Sequence, residues 1–457
     1  MKKRIALIIL ASVLALNMTG CKFVFSRTQI AGTAIEQTVV YDDGPAGEEP
    51  ELSGVLEIEI WTNESEAISN AWTEVLDEFE RDTGVQVTAY IGSQVVTQLA
   101  PRWRDGNPPD LALLAGTIPI EAWEREGRLM DLTDLLSEGY IYGTQKKISD
   151  YVDLESSIKS GANGECYRAA FMAAPYGVLY DANYITKYGK APENYTELSE
   201  FSTAVINGGD AVFTTYGNTG SYPTWAMIMP AIAAYGEDLI DEVLKGNPEA
   251  WRSEEVKTVL ARWREFCNTP GVLTEGTATF DHTTSQIKWL NHEAVLIGNG
   301  IWLPAEVANI TPKTFAMEFV SSPLISEDQT PTVLARGNSM LVASKARNKE
   351  NALAFVRYLF TKKAQTILTS GHGYFGVRTD MNYAELPGMS DAAANILGYI
   401  FREDVDIVWE KHTWGDLNDT VNGATHGLMT GRLTVDETVE NVAAAAERLH
   451  SEGRLFY

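Results

Sequence analysis

The pattern that most constrains the fold of this 457-residue chain is a strand, a helix and a second strand in close succession. Residues 56–60 alternate apolar and polar side chains, as a half-buried strand does. Residues 68–79 repeat large apolar side chains on one helical face, between a possible N-cap at Ser65 and a terminating Gly84. Residues 85–89 form the second strand pattern. Because parallel strands need a crossover helix, this order predicts a βαβ unit and an α/β fold.

The same alternation of helices and short apolar strands continues along the chain. The further predicted elements are a strand at 110–114, a helix at 287–291, strands at 294–297 and 339–344, and a helix at 435–449. A chain of this length is expected to form two or three domains.

The N-terminus has the organisation of an export signal. Three basic residues precede an uncharged apolar run at 5–16, which is too short to span a bilayer permanently. Gly20 precedes Cys21, as in the lipobox of bacterial lipoproteins. We therefore predict a signal peptide at 1–20, a lipidated Cys21, and an exported protein anchored in the cell membrane and facing the outside or the periplasm. An ordinary cleaved signal with an incidental cysteine is the alternative.

Residues 21–53 lack sustained periodicity. The stretch 42–51 is rich in Asp, Glu, Gly and Pro, a composition typical of linkers. We predict that 21–53 comprise the lipidated cysteine and a flexible tether.

Charge and motifs exclude several classes of function. With 36 basic and 62 acidic residues, the formal charge of −26 disfavours nucleic-acid binding. The sequence contains no phosphate-binding loop, no H-E-x-x-H pair and no G-x-S-x-G turn, so we predict no catalytic residue, no cofactor and no metal. Cys166 and Cys267 could pair in an oxidising compartment, although isolated cysteines are more often buried thiols.

Several segments, taken in order, resemble the extracellular sugar-binding family of ABC importers, the maltose-binding-protein-like family. The first of them is the opening strand, which ends in Trp61. The others are 79–87 (FERDTGVQV), 109–111 (PDL), 175–184 (PYGVLYDANY), 191–198 (APENYTEL), 294–302 (AVLIGNGIW), 337–360 and 430–437 (TGRLTVDE). Taken in order, they are spread over almost all of residues 54–457.

The resemblance implies a two-lobed, type II periplasmic-binding-protein-like α/β fold, with a sheet flanked by helices in each lobe and a ligand cleft between them. The N-lobe would comprise 54–174 plus 323–370, and the C-lobe 175–322 plus 371–457. The chain would cross between the lobes near 174–176, 319–323 and 369–375.

The function implied is high-affinity binding of a sugar or oligosaccharide by hinge closure, followed by delivery to ABC permease subunits. The protein would be a monomer and not an enzyme. A secreted glycoside hydrolase remains an alternative, since its two carboxylates cannot be recognised by counting acids. A binding protein for a peptide or polyamine remains another.

Sugar rings have apolar faces on which Trp and Tyr can stack, and hydroxyls that amides and carboxylates can bond. Ligands of open α/β sheets bind beyond the carboxyl ends of the strands. That rule selects Trp61, Asn63, Glu64, Gly116, Thr117, Gly300 and Trp302. The family resemblance also implies cleft aromatics at Trp61, Tyr176 and Trp302. Further candidates are Trp225, Asn338, Phe375 and Trp414.

Overall fold

The computed structural model describes residues 41–62, 65–113, 120–159 and 164–455. Cys21 therefore lies outside the described residues. Within them the strands are β1 (Val55–Ile60), β2 (Gln86–Ile91), β3 (Leu111–Leu113), β4 (Ala169–Ala173), β5 (Tyr176–Asp181), β6 (Ala211–Thr215), β7 (Ala294–Gly300), β8 (Met317–Val320), β9 (Thr332–Ala335), β10 (Gly337–Val342), β11 (Phe375–Gly376) and β12 (Asp406–Trp409).

The helices of the same residues connect and cover these strands. They are α1 (Glu66–Thr83), α2 (Val95–Arg104), α3 (Ile120–Arg125), α4 (Thr133–Glu138), α5 (Ile148–Tyr151), α6 (Ala182–Ile185), α7 (Tyr195–Asn207), α8 (Ser221–Pro223), α9 (Met229–Ala233), α10 (Glu237–Lys245), α11 (Pro248–Trp251), α12 (Glu254–Asn268), α13 (His282–Leu290), α14 (Leu303–Val307), α15 (Lys349–Tyr358), α16 (Lys362–His372), α17 (Asp391–Ile400), α18 (Asn418–Met429) and α19 (Val435–Ser451). A π-helical segment, Thr224–Ile228, joins α8 to α9.

The first sheet has the strand order β11-β4-β10-β3-β1-β2. β1 is parallel to both β2 and β3, and α1 connects β1 to β2, which confirms the predicted βαβ unit. α1 buries the apolar face that its sequence period defines, including Trp72 and Phe79. Because β1 and β3 run in the same direction, their carboxyl ends lie at one edge of the sheet.

The second sheet has the order β6-β7-β5-β8. Every residue of β7 is buried, as expected for a central strand covered on both faces. β5 is antiparallel to β7 and β8, whereas β6 is parallel to β7. A separate two-stranded pair, β9 with β12, is parallel and packs in the same core as this sheet.

The two sheets have separate hydrophobic cores. The chain passes from the first sheet to the second between β4 and β5, and it returns at Arg336, between β9 and β10. The residues that bound each lobe are still a prediction, although the packing of individual residues bears on where the crossings lie. Leu324 and Val333 pack in the second core, and β11 pairs with β4, so we propose that the second and third crossings lie at Arg336 and after β11.

Residues 41–53, the described part of the predicted tether, lie against the body of the protein. Asp43 pairs with Arg378, whose side chain is fully buried, and also accepts a hydrogen bond from the backbone N–H of Lys362. Glu49 forms a two-point ion pair with Arg357, with one contact of 2.9 Å. Two of the acidic residues of the predicted tether, Asp43 and Glu49, therefore have arginine partners.

The two described cysteines are free and buried, one in each core. Burial raises the pKa of both the Cys166 and Cys267 thiols. None of the described helices combines the length and apolar character needed to cross a bilayer. Among the described residues, no group of three or more His, Cys, Asp or Glu side chains is arranged to hold a metal ion.

Candidate ligand-binding cleft

A small pocket lies at the carboxyl edge of the first sheet. Trp61 follows β1, and its backbone N–H donates to the carbonyl of Leu113 at the end of β3 (2.8 Å). β10 runs antiparallel to β3, so its second residue, Asn338, reaches the same edge. We call the resulting cavity of about 70 Å³ the Trp61 pocket; it is lined by Trp61, Thr62, Ile68, Trp72, Leu113, Phe171, Met172, Asn338, His372 and Tyr374.

The second sheet contributes an aromatic corner. Tyr176 begins β5 and is paired with Gly300, the last residue of β7. The Trp302 ring meets the Tyr176 ring edge-on, with 4.7 Å between centroids. A Cβ on Gly300 would lie 2.1 Å from the Trp302 ring. Glycine is therefore required at position 300 for the Trp302 ring to lie against the strand.

A continuous row of rings joins these two surfaces. The Trp302 ring lies 6.2 Å from Tyr374, and Tyr374 lies 5.1 Å from His372 in the wall of the Trp61 pocket. At the other end, Tyr222 lies 5.3 Å from Tyr176. Aromatic side chains from both sheets thus meet at their interface and offer a ligand flat, partly exposed surfaces.

Burial keeps the tyrosines of this row protonated. It raises the pKa of Tyr176 to about 12 and raises the pKa values of Tyr222 and Tyr374 as well. Their hydroxyls remain able to donate hydrogen bonds at neutral pH.

A buried carboxylate lies beside the aromatic corner. Glu410 directly follows β12 and is 1% exposed. Neither of its carboxylate oxygens accepts a hydrogen bond within the described part of the chain, although Arg336 Nε lies 3.2 Å from one of them as an ion pair. Burial raises the pKa of Glu410. The Arg336 guanidinium also lies over the Trp225 ring, 5.1 Å from its centroid.

A second polar group closes the other end of the row. Gln286 donates to a Glu306 carboxylate oxygen at 2.7 Å, and the His282 ring lies 3.3 Å from the same oxygen. The His282 ring is 5.4 Å from Tyr222. Burial lowers the pKa of His282. Two carboxylates, Glu306 at the Tyr222 end of the row and Glu410 beside the aromatic corner, can accept hydrogen bonds from a ligand rich in hydroxyls.

The structure brings together five of the predicted site residues: Trp61, Tyr176, Gly300, Trp302 and Asn338. Trp225 borders the site through Arg336. Phe375 and Trp414 instead pack in the second core, at 2% exposure each. Asn63, Glu64, Gly116 and Thr117 lie outside the described residues, so their role stays a prediction.

Sequence reasoning missed five residues of the site, namely Tyr222, Arg336, His372, Tyr374 and Glu410. The stretch 372–375, which contains one His and two aromatics between glycines, falls at a predicted crossing, and this was a usable signal. Glu410 comes shortly after Glu403, Asp404 and Asp406, and because a run of acids in an acidic chain is usually solvated, composition concealed it.

The amino-acid sequence of the chain matches a known protein family. The sequence profile of the bacterial extracellular solute-binding protein family matches residues 63–366, more than half of the chain. This protein belongs to that family. The assignment confirms two predictions: this protein is a solute-binding protein and not an enzyme, and it is exported.

Relatives and solved structures agree with this assignment. The chain is similar to the diacetylchitobiose-binding protein NgcE of Streptomyces coelicolor, at 22% identity over 391 residues, covering 79% of this chain and 81% of that protein. Its fold is similar to that of ligand-free RafE from Streptococcus pneumoniae, with a TM-score of 0.67, 16% identity, and coverage of 88% and 100%. It is also similar to that of the GacH receptor of Streptomyces glaucescens, with a TM-score of 0.65, 18% identity, and coverage of 88% and 100%. These structures confirm the predicted two-lobed α/β fold.

Proposed function

We propose that this solute-binding protein captures a sugar or oligosaccharide outside the cytoplasm and delivers it to the permease subunits of an ABC transporter. The observation that carries the proposal is the row of aromatic rings that runs from the Trp61 pocket to Tyr222 across the interface of the two sheets. The ligands named for similar proteins support it: diacetylchitobiose for NgcE, raffinose for RafE and acarbose for GacH.

Binding would proceed by closure of the two lobes around the ligand. Trp61 and Asn338 belong to the first sheet and its edge, whereas Tyr176 and Trp302 belong to the second. A ligand that contacts both groups gains its full interaction energy only when the lobes are closed, so binding shifts the population toward the closed form. The closed form would then dock on the permease.

We also propose that the protein acts as a monomer held at the membrane through lipid on Cys21. The two acyl chains of a diacylglyceryl group on the thiol would provide the two hydrophobic anchors that stable attachment needs. The acidic surface would contribute little to this attachment, because anionic headgroups repel it.

Calorimetry with a panel of sugars, including disaccharides and trisaccharides, tests the proposed function. We expect at least one to bind, and we expect Trp302→Ala to weaken that binding by about tenfold or more through loss of the stacking surface. Tyr140→Ala is the control, because Tyr140 is an aromatic residue at 43% exposure outside the cleft. A protein that binds only peptides or polyamines, or whose sugar binding survives Trp302→Ala, would contradict the proposal.

A further inference from the structure

We propose that the Trp61 pocket holds the acetamido group of an N-acetylated amino sugar, and that the protein selects such sugars over their hydroxylated counterparts. This inference rests on the proposed function and narrows its ligand class.

The volume suits a small substituent and not a whole sugar ring. A cavity of about 150 Å³ accommodates benzene, which has six heavy atoms. The Trp61 pocket, at about 70 Å³, therefore has room for roughly half that number. The acetyl part of an acetamido group, its carbonyl carbon, oxygen and methyl, has three heavy atoms and would fill the pocket with the nitrogen at its mouth, whereas a sugar hydroxyl has one and would leave most of the volume empty.

The walls are mainly apolar. Trp72, Phe171 and Met172 are each 1% exposed, and Ile68 and Leu113 complete the same surface. A hydroxyl placed against these side chains would lose its hydrogen bonds to water without replacement, which is unfavourable. A methyl group gains free energy from the same burial, since it leaves water for an apolar surface.

Two polar side chains in the pocket complement an amide. The His372 ring places Nδ1 3.0 Å from the carbonyl oxygen of Leu368, so Nδ1 carries the hydrogen and Nε2 is the acceptor. Burial lowers the pKa of His372 to about 4, which keeps the ring neutral at physiological pH. Asn338 supplies an amide N–H₂ donor in the same wall. An acetamido group presents one N–H and one carbonyl, which suit this acceptor and this donor.

The position of the pocket allows the sugar ring itself to use the aromatic row. Tyr374 lines the pocket and lies 6.2 Å from Trp302. A substituent buried in the pocket would therefore leave its sugar ring beside Trp302, where stacking is available. The pocket and the stacking surface would then act on one sugar unit.

The experiment compares two disaccharides with the same β-1,4 linkage. N,N′-diacetylchitobiose carries acetamido groups where cellobiose carries hydroxyls. We expect the wild-type protein to bind diacetylchitobiose at least about tenfold more tightly than cellobiose in calorimetry. The deacetylated dimer of glucosamine, whose amine cannot fill the apolar volume, should bind no more tightly than cellobiose.

Variants of Asn338 separate recognition of the acetamido group from general sugar binding. Asn338→Asp keeps the size of the side chain but replaces the N–H₂ donor with an acceptor. We expect it to weaken diacetylchitobiose binding by about tenfold or more, and to weaken cellobiose binding by a clearly smaller factor, since only the acetamido carbonyl loses its donor. Asn338→Ala should act in the same direction, and thermal melting of both variants verifies that they fold.

The outcomes distinguish this inference from the proposed function. Equal or tighter binding of cellobiose by the wild type would overturn the acetamido assignment while sugar binding stood. An Asn338→Asp variant that weakens both disaccharides equally, or neither, would overturn it as well. A wild-type protein that binds no sugar of any kind would overturn the proposed function itself.

Discussion

Glu410 is the residue whose environment is least expected from the sequence. Its buried carboxylate has Arg336 as an ion-pair partner but no aligned hydrogen-bond donor among the described residues. Because burial raises the pKa of Glu410 in the folded protein, the folded state binds more protons than the unfolded state between the two pKa values. The contribution of this group to stability therefore falls as the pH rises through that window.

Glu410→Gln should consequently change the pH dependence of stability. We expect the free energy of unfolding of the variant, relative to wild type, to rise as the pH increases above the ordinary pKa of a glutamate, because only the wild type loses the proton. Urea unfolding at several pH values measures this difference. Glu403→Gln, at an exposed carboxylate, is the control, and a difference for Glu410→Gln that does not vary with pH would contradict the argument.

Single residues also show how far the cleft was predictable. Trp61 and Trp302 were accessible from sequence because each comes directly after a strand whose carboxyl end must face the ligand. His372 ends α16 and Tyr374 lies in the turn that follows it. The His and aromatics between glycines marked this stretch, but a helix end and a turn have no periodicity that indicates where these side chains point.

At the scale of elements, the N-terminal segment 41–53 is held by ion pairs to the body of the protein. Arg378 is buried and contacts both Asp43 and Asp380, so removing Asp43 leaves part of the guanidinium charge uncompensated. We expect Asp43→Ala to lower the free energy of unfolding by about 2 kcal/mol, less than for a fully isolated buried charge because Asp380 remains. Chemical denaturation of the exported domain checks this.

Glu48→Ala is the matched control for Asp43→Ala. Glu48 is an acidic residue of the same segment but is exposed. Its loss should change stability by less than about 0.5 kcal/mol. Equal effects of the two substitutions on the free energy of unfolding would mean that the Asp43–Arg378 pair does not stabilise the protein.

The elements that sequence predicted are those with a clear period or a cap. α1 was predicted from its apolar face, and α19 from the helical pattern at 435–449; in the structure Thr434 forms a capping box with Glu437 at the start of α19. The pair of β9 and β12 was not predicted. Each strand has only four residues, and the two lie far apart in the chain, so neither carries a local signal of its partner.

For the whole molecule, hinge closure makes a measurable prediction. Saturating amounts of a sugar that binds should reduce the radius of gyration of the wild-type protein in small-angle scattering, because the ligand stabilises contacts from both sheets at once. The same sugar concentration should leave the Trp302→Ala variant unchanged if it no longer binds. A radius that stays constant at full occupancy would contradict closure.

The architecture was predictable because ordered motifs along the chain resemble one family, and that family has one fold. Exact lobe membership was less accessible. Residues such as Leu324 and Val333 are apolar and could pack on either side of the interface, and only the folded chain shows that they join the second core. The number of lobes was therefore easier to predict from the sequence than the residues at which each lobe begins and ends.

Because Cys166 and Cys267 lie one in each core, each half of the molecule contains a buried thiol whose labelling reports the local opening of that half. Each thiol becomes reactive toward an alkylating reagent only when its own surroundings open. Pulsed labelling followed by peptide mass analysis would thus yield two opening rates from a single sample. Comparing those rates with and without sugar would reveal whether the ligand couples the unfolding of the two halves.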